Sequence, residues 1–326
     1  MSRALSLTSA ALTVALLAAQ PACTPSRPSP PGLSLAWSTT VARDHPLAGR
    51  IWDPRASRFV GAAALEAGVA GGRFVLLGET HDNPDHHALQ ARLIRAMTAA
   101  GRRPALALEM LSTDQQPAID AALAGPAPRA EALREAVAWD RSGWPPFEEY
   151  RTVIEAALAA DLPVVGANLP RQVMSEVVRR GAAALPTPVL ARLEAAGPLS
   201  DAERRERREE MAESHCGELP ESILDPLLLA QRARDAQLAE ALLSSGRGEG
   251  AVLVTGAEHA RRDRGVTSFL GTSAGVVTVA FLEVAPDAPR PSSYGPLPYD
   301  FVVFTPGAAR GDPCEGLRRH HGRSRR

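Results

Sequence analysis

The feature that most constrains this chain is a repeated local pattern, in which a short apolar run without polar alternation breaks off at charged or amide groups. "RFVLLGETHDNPDHHALQARLI", beginning at Arg73, passes from such a run into three histidines, three acids, an Asn and a Pro, then into a helix-like pattern. Apolar runs that do not alternate belong to strands covered on both faces, which means a parallel sheet with helices on either side. "PALALEM", "LPVVGAN" and "AVLVTGAEH" repeat the pattern, ending at Glu109, at Asn168 and at Gly256–His259, and "GVVTVAFLEV" and "DFVVFT" supply the last strands. Between the first two, Asn83 followed by Pro84 marks a helix start, because Asn caps and Pro tolerates the first helical position. Leu89, Leu93, Ile94 and Met97 then form a stripe at helical spacing, and Gly101 stops it. Strand, helix, strand is a parallel crossover unit.

The expected fold is therefore α/β, a mostly parallel sheet with flanking helices, spanning 35–310 and opening with a hairpin or short strands in 35–61. Helical stretches at about 112–160 and 171–247 are too long for ordinary connections and read as a helical insertion subdomain packed over one end of the core.

In an open parallel sheet, ligands bind beyond the carboxyl ends of the strands. Four of these ends carry polar groups: Glu79 with His81, Glu109, Asn168, and Glu258 with His259. Two Gly-x-x-His turns leave apolar strands, at Gly78–His81 and Gly256–His259, and glycine allows both a sharp turn and a close approach. An imidazole flanked by carboxylates can act as a general base toward water, which makes His81, with Glu79, Glu109, Glu258 and His259, a candidate catalytic set. Alternatively His81, His259 and Glu109 hold a divalent metal with a position open to water, although no His-x-x-x-His or Cys-x-x-Cys spacing demands one. The bland alternative is a set of hydrogen-bonded strand ends. His86 and His87 sit in the first turn of the helix after Pro84, where the helix N-terminus disfavours their protonation and favours anions. Farther on, Leu224, Leu228, Gln231, Asp235, Leu238 and Leu242 share one helix face, so two polar groups enter an apolar seam and must find partners. Structural hydrogen bonding is the favoured role there, and reaching into the site the alternative.

A net charge of −1, the absence of Lys and 4% aromatic residues argue against nucleic acid as a partner, which needs a basic field and stacking surfaces. "MSRALSLTSAALTVALLAAQPAC" has the layout of an export signal over 1–22, with Cys23 where a bacterial lipoprotein is acylated. The residues before Cys23 lack the usual Leu three positions upstream. "TPSRPSPPG" makes 23–34 an extended tether, and 311–326, ending "RRHHGRSRR", a basic solvated tail. The expected location is the periplasm or the outer membrane, held through an N-terminal lipid anchor. In that oxidising compartment Cys216 and Cys314 are expected to pair.

"GETHDNPDHHALQ", "ALEML", "SGWPPFEEY", "GANLPR", "HCGELP", "AQRARDAQLA" and "GAEHARRDRGVTSFL" stand in the order seen in the ChaN-like haem-binding uptake lipoproteins, relatives of the Tiki and TraB proteins and the erythromycin esterases. The chain resembles that family from about Arg73 to Leu270, and weakly on to Cys314. The resemblance implies an exported, often lipid-anchored α/β protein with a helical subdomain. It also implies haem binding in iron uptake, a homodimer enclosing the haem, and an outer-membrane uptake receptor as partner. It maps the strand-end set onto Glu79, His81, Glu109 and His259, positions that assist water attack in the esterase relatives. Leu238 departs from the family, which commonly has Met there. A haem site needs an apolar slot, an axial ligand and cations for the propionates. Tyr150, His86, His87 and His215 are the ligand candidates, Asn168 lines the strand ends, and Arg171, Arg261 and Arg262 are the candidate propionate partners. An ester or peptide hydrolase, metal-dependent or not, is the competing reading.

Overall fold

A computed structural model describes residues 32–315 apart from 34–35, 126–128, 247, 272–274 and 313. The expected export signal, the acylation site at Cys23, nearly all of the tether and the basic tail beyond Glu315 lie outside the described residues. Among those described, no helix is long and apolar enough to cross a membrane.

The strands are β1 (Ile51–Asp53), β2 (Arg58–Val60), β3 (Phe74–Glu79), β4 (Ala105–Ser112), β5 (Val164–Asn168), β6 (Ala251–Gly256), β7 (Val276–Glu283) and β8 (Phe301–Thr305). The helices are α1 (Ala62–Gly71), α2 (Pro84–Ala99), α3 (Gln116–Ala124), α4 (Arg129–Ala136), α5 (Phe147–Leu158), α6 (Arg171–Arg180), α7 (Thr187–Ala196), α8 (Asp201–Ser214) and α9 (Glu221–Ser245). The strands form one sheet in the order β2-β1-β8-β7-β3-β6-β4-β5. From β8 to β5 every pairing is parallel, and only the short β1–β2 hairpin joins antiparallel, against β8.

Every residue of β3 is buried, and its side chains alternate between two cores. Val75 and Leu77 pack with α2 and α5 on one face, while Phe74 and Leu76 pack with α6, α7 and α9 on the other. The helical stretches thus divide between the two faces: 112–160 supplies α3 to α5 on the α2 side, and 171–247 supplies the opposite layer. The start of α2 follows its sequence signals, with the Asn83 side chain accepting from the Asp85 N–H at 3.0 Å and Pro84 in the first turn. Beyond the other end of α2, Gly101 takes a φ of +85°, a left-handed conformation that glycine adopts without steric cost.

Chain order and sheet order differ in one place that matters. The chain runs from β3 through α2 to β4, yet β6 lies between these two strands and reaches its position by way of the opposite helical layer. The carboxyl ends of β3, β6 and β4 therefore sit side by side where connections leave to opposite faces, the place where open sheets form ligand crevices.

Candidate functional site

Two turns meet at these strand ends. The turn after β3 carries His81 and the turn after β6 carries His259, and both rings border Gly256. A Cβ placed on Gly256 would lie 3.1 Å from His81 Nε2 and 3.7 Å from His259 Cδ2. A Cβ on Gly78 would lie 2.8 Å from Ala257 Cα and 2.9 Å from Ala260 Cβ. The glycines thus serve close packing of one turn against the other, rather than the sharp reversal expected of them.

Each imidazole is held by a carboxylate. His81 Nδ1 is 2.9 Å from Glu79 Oε1, and His259 Nδ1 is 2.6 Å from Asp235 Oδ1. Glu109 lies between the two pairs. Its Oε2 accepts from the Thr255 hydroxyl at 2.6 Å and from the Gly256 N–H at 2.9 Å. Its Oε1 is 3.4 Å from Arg234 Nη1 and 3.6 Å from His259 Nε2. The register of β4 against β5 slips between Leu108 and Ser112, and this bulge carries Glu109. Asn168 secures it, donating to the Glu109 carbonyl at 2.9 Å while its own Oδ1 accepts from the Leu169 N–H.

A second set of side chains supports Glu79, whose carboxylate has no exposed surface. The Tyr150 hydroxyl donates to Oε1 at 2.5 Å and Gln90 Nε2 donates to Oε2 at 2.6 Å. His87 Nε2 lies 3.3 Å from Oε2, close enough for an ion pair but without the geometry of a hydrogen bond. Burial works against the charge on Glu79, but the hydrogen bond from His81 and the close approach of His87 outweigh it and bring its pKa down to about 2. Burial likewise opposes the charge on Glu109, and His259, Arg234 and His81, with the Thr255 hydroxyl, bring it down to about 2. Burial pushes His81 toward neutrality, but its bond to Glu79 and the charges of Glu109 and Glu79 raise its pKa above 6.5. His259 is raised in the same sense, with Glu109 and Asp235 overcoming burial. Three carboxylates thus face two imidazole rings, both with raised pKa values, and one guanidinium.

Two cavities flank this cluster. One, of about 630 Å³, opens over the ends of β4 and β5 and is lined by Glu109, Trp144, Leu169 and Met174 together with Arg141, Arg171 and Arg234. It adjoins a hollow of about 710 Å³ along α6, with which it shares Asp114 and Arg171. His81 does not line this cavity but packs against Trp144, which does, with its ring 4.9 Å from the indole in an edge-to-face contact. The other cavity, of about 370 Å³, lies between α8, α9 and the turn after β6, and has His259 and Asp235 in its wall.

Of the expected site residues, Glu79, His81, Glu109 and His259 come together, and several others do not. Glu258 precedes His259 but turns to solvent, where it pairs with Arg264 and Arg261, so it is not part of the cluster. His86 is fully buried: Nδ1 accepts from the Thr80 N–H at 3.0 Å, and Nε2 is 2.8 Å from the Thr305 hydroxyl. Burial keeps it neutral, with a pKa of about 4, and both nitrogens are engaged, so it is no haem ligand. Tyr150 is fully buried with its hydroxyl committed to Glu79, and burial beside that carboxylate raises its pKa well out of the physiological range. His87 is equally sealed, its ring 4.0 Å from that of Tyr150. Neither can reach iron. His215, at the end of α8, has Nδ1 2.8 Å from the Met211 carbonyl. Arg171 bonds the Ser142 carbonyl at the rim of the first cavity, whereas Arg261 lines the second and pairs with Asp263, and Arg262 pairs with Asp300 away from both. Among the described residues, no group of three or more His, Cys, Asp and Glu side chains is arranged to hold a metal ion. His81, His259 and Glu109, expected as alternative metal ligands, are therefore not gathered into such a group.

Asp235 takes the role that ranked second for its helix seam, that of reaching into the site. Gln90, on the buried face of α2, was not anticipated. Its one visible signal is a polar residue among Leu89, Leu93, Ile94 and Met97.

Residues 65–270, more than half of the chain, match the family described as haem-binding uptake, Tiki superfamily, ChaN. The chain belongs to this family. No curated protein matches it in sequence. Among solved structures, ChaN of Campylobacter jejuni, described with cofacial haem binding, aligns over 78% of this chain and 95% of its own at 21% identity and a TM-score of 0.61, which establishes a shared fold. An erythromycin esterase in its open conformation (15% identity, TM-score 0.41, 78% and 81% covered) and the type III effector HopBA1 (13%, 0.43, 74% and 91%) are more distant. For a ChaN-family member, the cluster is the part of the fold where buried charge is concentrated, and the open cavity beside it is the space a ligand can enter.

Proposed function

We propose that this protein binds haem in the cavity over the ends of β4 and β5 and serves haem uptake as an exported, lipid-anchored carrier. The observation that carries the reading is the composition of that cavity. Haem presents a flat apolar plate with two carboxylates, and here Trp144, Met174, Leu169 and Val137 share one lining with Arg141, Arg171 and Arg234. Two of these cations have capacity to spare. Among the described residues Arg141 makes no side-chain hydrogen bond or ion pair, and Arg234 Nε is buried without a partner.

We assign His81 as the residue that meets the iron. Its side chain is 32% exposed, against 9% for His259 and none for His87, and Glu79 holds its Nδ1, which leaves Nε2 as the coordinating atom. Nε2 must give up its proton to coordinate, so binding weakens as pH falls. Family membership and the cofacial binding described for the Campylobacter jejuni protein support a dimer in which a second copy covers the other face of the haem. The Cys216–Cys314 disulfide, expected from the sequence and present in the structure, supports an oxidising compartment, and the N-terminal sequence supports acylation at Cys23. The hydrolase reading draws on the same carboxylate-held imidazoles, but family membership supports haem binding instead.

Titration of the purified protein with haemin tests the proposal. A saturable Soret shift is expected, with altered band positions in His81→Ala and weaker binding in Arg141→Glu. A flat titration of the wild-type protein would remove the haem reading altogether.

A further inference from the structure

The second cavity, between α8, α9 and the turn after β6, is not used by the haem reading. It holds about 370 Å³ and is lined by four arginines, Arg207, Arg232, Arg261 and Arg264. Pairing the charges in its wall leaves an excess of one sign. Arg264 is satisfied by Glu210 and Glu258, Arg261 by Asp263 and Glu258, and Asp235 by His259. Arg207 makes no side-chain hydrogen bond or ion pair among the described residues, and Arg232 donates only to the neutral carbonyl of Gly197, at 2.6 Å. One further acid, Glu203, interacts electrostatically with both, but its carboxylate is committed to the start of α8, accepting from the Ser200 N–H at 2.8 Å and the Ser200 hydroxyl at 2.5 Å.

Arg207 and Arg232 are both partly buried, on different helices that face each other across the hollow. Burial and the like charge of Arg207 lower the pKa of Arg232, against the partly offsetting charges of Asp235 and Glu203. Two guanidiniums held this way repel until an anion joins them, and their planar donor forks suit oxyanions with two or three oxygens. Ser214 and Gln231 add polar groups to the same wall, and Met211 and Leu228 add an apolar side.

We infer that this cavity is a binding site for a small oxyanion, a carboxylate or phosphate group carried on a compact, partly apolar body, clamped between Arg207 and Arg232. The site is distinct from the haem cavity: His259 and Asp235 line this one, Glu109 lines the other, and the 3.6 Å approach of His259 Nε2 to Glu109 Oε1 forms the partition.

Isothermal titration of the full-length protein with inorganic phosphate and, separately, with benzoate tests the site and tells the two sources of oxyanion apart. Saturable binding of at least one probe is expected, weakening as salt rises. Arg207→Gln and Arg232→Gln should each weaken it at least tenfold, while haemin binding remains. Arg95→Gln, a change at an exposed arginine on α2, should leave it unaltered. Arg207 lies on the exposed helix α8, so its variant can be confirmed as folded by circular dichroism; should Arg232→Gln fail to fold, Arg207→Glu, which reverses the charge, replaces it and should abolish binding. The inference is overturned if neither probe saturates, if binding survives both folded arginine variants, or if Arg95→Gln weakens it equally, which would mark general attraction to positive charge. Loss of haemin binding alone leaves this site standing and removes only the haem reading.

Discussion

Replacing Tyr150 with Phe removes a single hydroxyl and leaves the ring in place. That hydroxyl donates to Glu79 Oε1 at 2.5 Å from a fully buried position. The ring contacts, 4.0 Å to His87 and 5.2 Å to Trp139 between centroids, survive the change, so no large cavity forms. A hydrogen bond to a charged group contributes about 1.5–3 kcal/mol. Glu79 keeps His81 at 2.9 Å and Gln90 at 2.6 Å, so its carboxylate is not left without partners. The cost therefore belongs toward the lower end, about 2 kcal/mol. Urea unfolding followed by circular dichroism should show an earlier midpoint at unchanged slope. Haemin titration of the same variant should keep the wild-type Soret maximum, because the hydroxyl faces Glu79 and not a ligand. A stability loss below about 0.5 kcal/mol, the scatter of ordinary surface changes, would mean the hydroxyl does not serve Glu79. A displaced Soret band would put the tyrosine on the iron and refute its assignment as a supporting residue.

Acid should unfold the protein in a defined window. Glu79 and Glu109 have pKa values lowered from 4.5 to about 2 in the folded chain, so the stability they contribute is complete above 4.5 and is lost as pH falls toward 2; a melting temperature flat across that range would contradict their charged, paired state. His81 and His259 act in the opposite sense, since raised pKa values give stability that is present below 6.5 and lost as pH climbs past the folded values. Asp235→Asn keeps the shape of the His259 partner but removes its charge, so the His259 pKa, read from its ring proton by NMR, should fall, and an unmoved titration would dissociate the pair. Reducing the Cys216–Cys314 disulfide opens a loop of 98 residues, for which loss of the cross-link costs on the order of 4–5 kcal/mol, and an unchanged urea midpoint after reduction would refute a stabilising role.

The sheet was legible because its evidence is local. Unalternating apolar runs, an Asn-Pro helix start and a glycine stop need no partner to be interpreted, and β3, α2 and β4 follow them closely. The site was legible only in part. The polar knot after β3 divides between two tasks that one-dimensional reading does not separate. Asp82 pairs with Arg310, Asn83 reaches Glu283 and the Pro306 carbonyl, Asp85 accepts from Ser38 and Thr39, and His86 bonds Thr80 and Thr305, so these four fasten the turn to its surroundings. Glu79, His81 and His87 form the charged cluster. Periodicity shows that a residue is buried and on which face, but not what lies opposite. For that reason Asp235 reads first as a structural hydrogen-bonder and Tyr150 as one of several ligand candidates, when each is the support of a site residue. Adjacent positions suffer most: Glu258 and His259 are neighbours in the chain, and the tight turn sends one to solvent and the other inward.

The pairing of the two Gly-x-x-His turns has a steric logic that explains why both are needed. Neither Gly78 nor Gly256 adopts a positive φ, so the backbone conformation of each is open to other residues, and what each supplies is the absence of a side chain. Gly78, on the first turn, clears room for Ala257 and Ala260 of the second, while Gly256, on the second, clears room for the His81 ring of the first. Each glycine serves the other turn. The parallel register that places Glu79 beside Gly256 brings the two gaps into alignment, and the β4 bulge then delivers Glu109 to the Gly256 N–H from the other side. A side chain at either glycine would displace a histidine or its turn from its carboxylate, so the two motifs act as one device whose parts lie nearly 180 residues apart and join only when β6 inserts between β3 and β4.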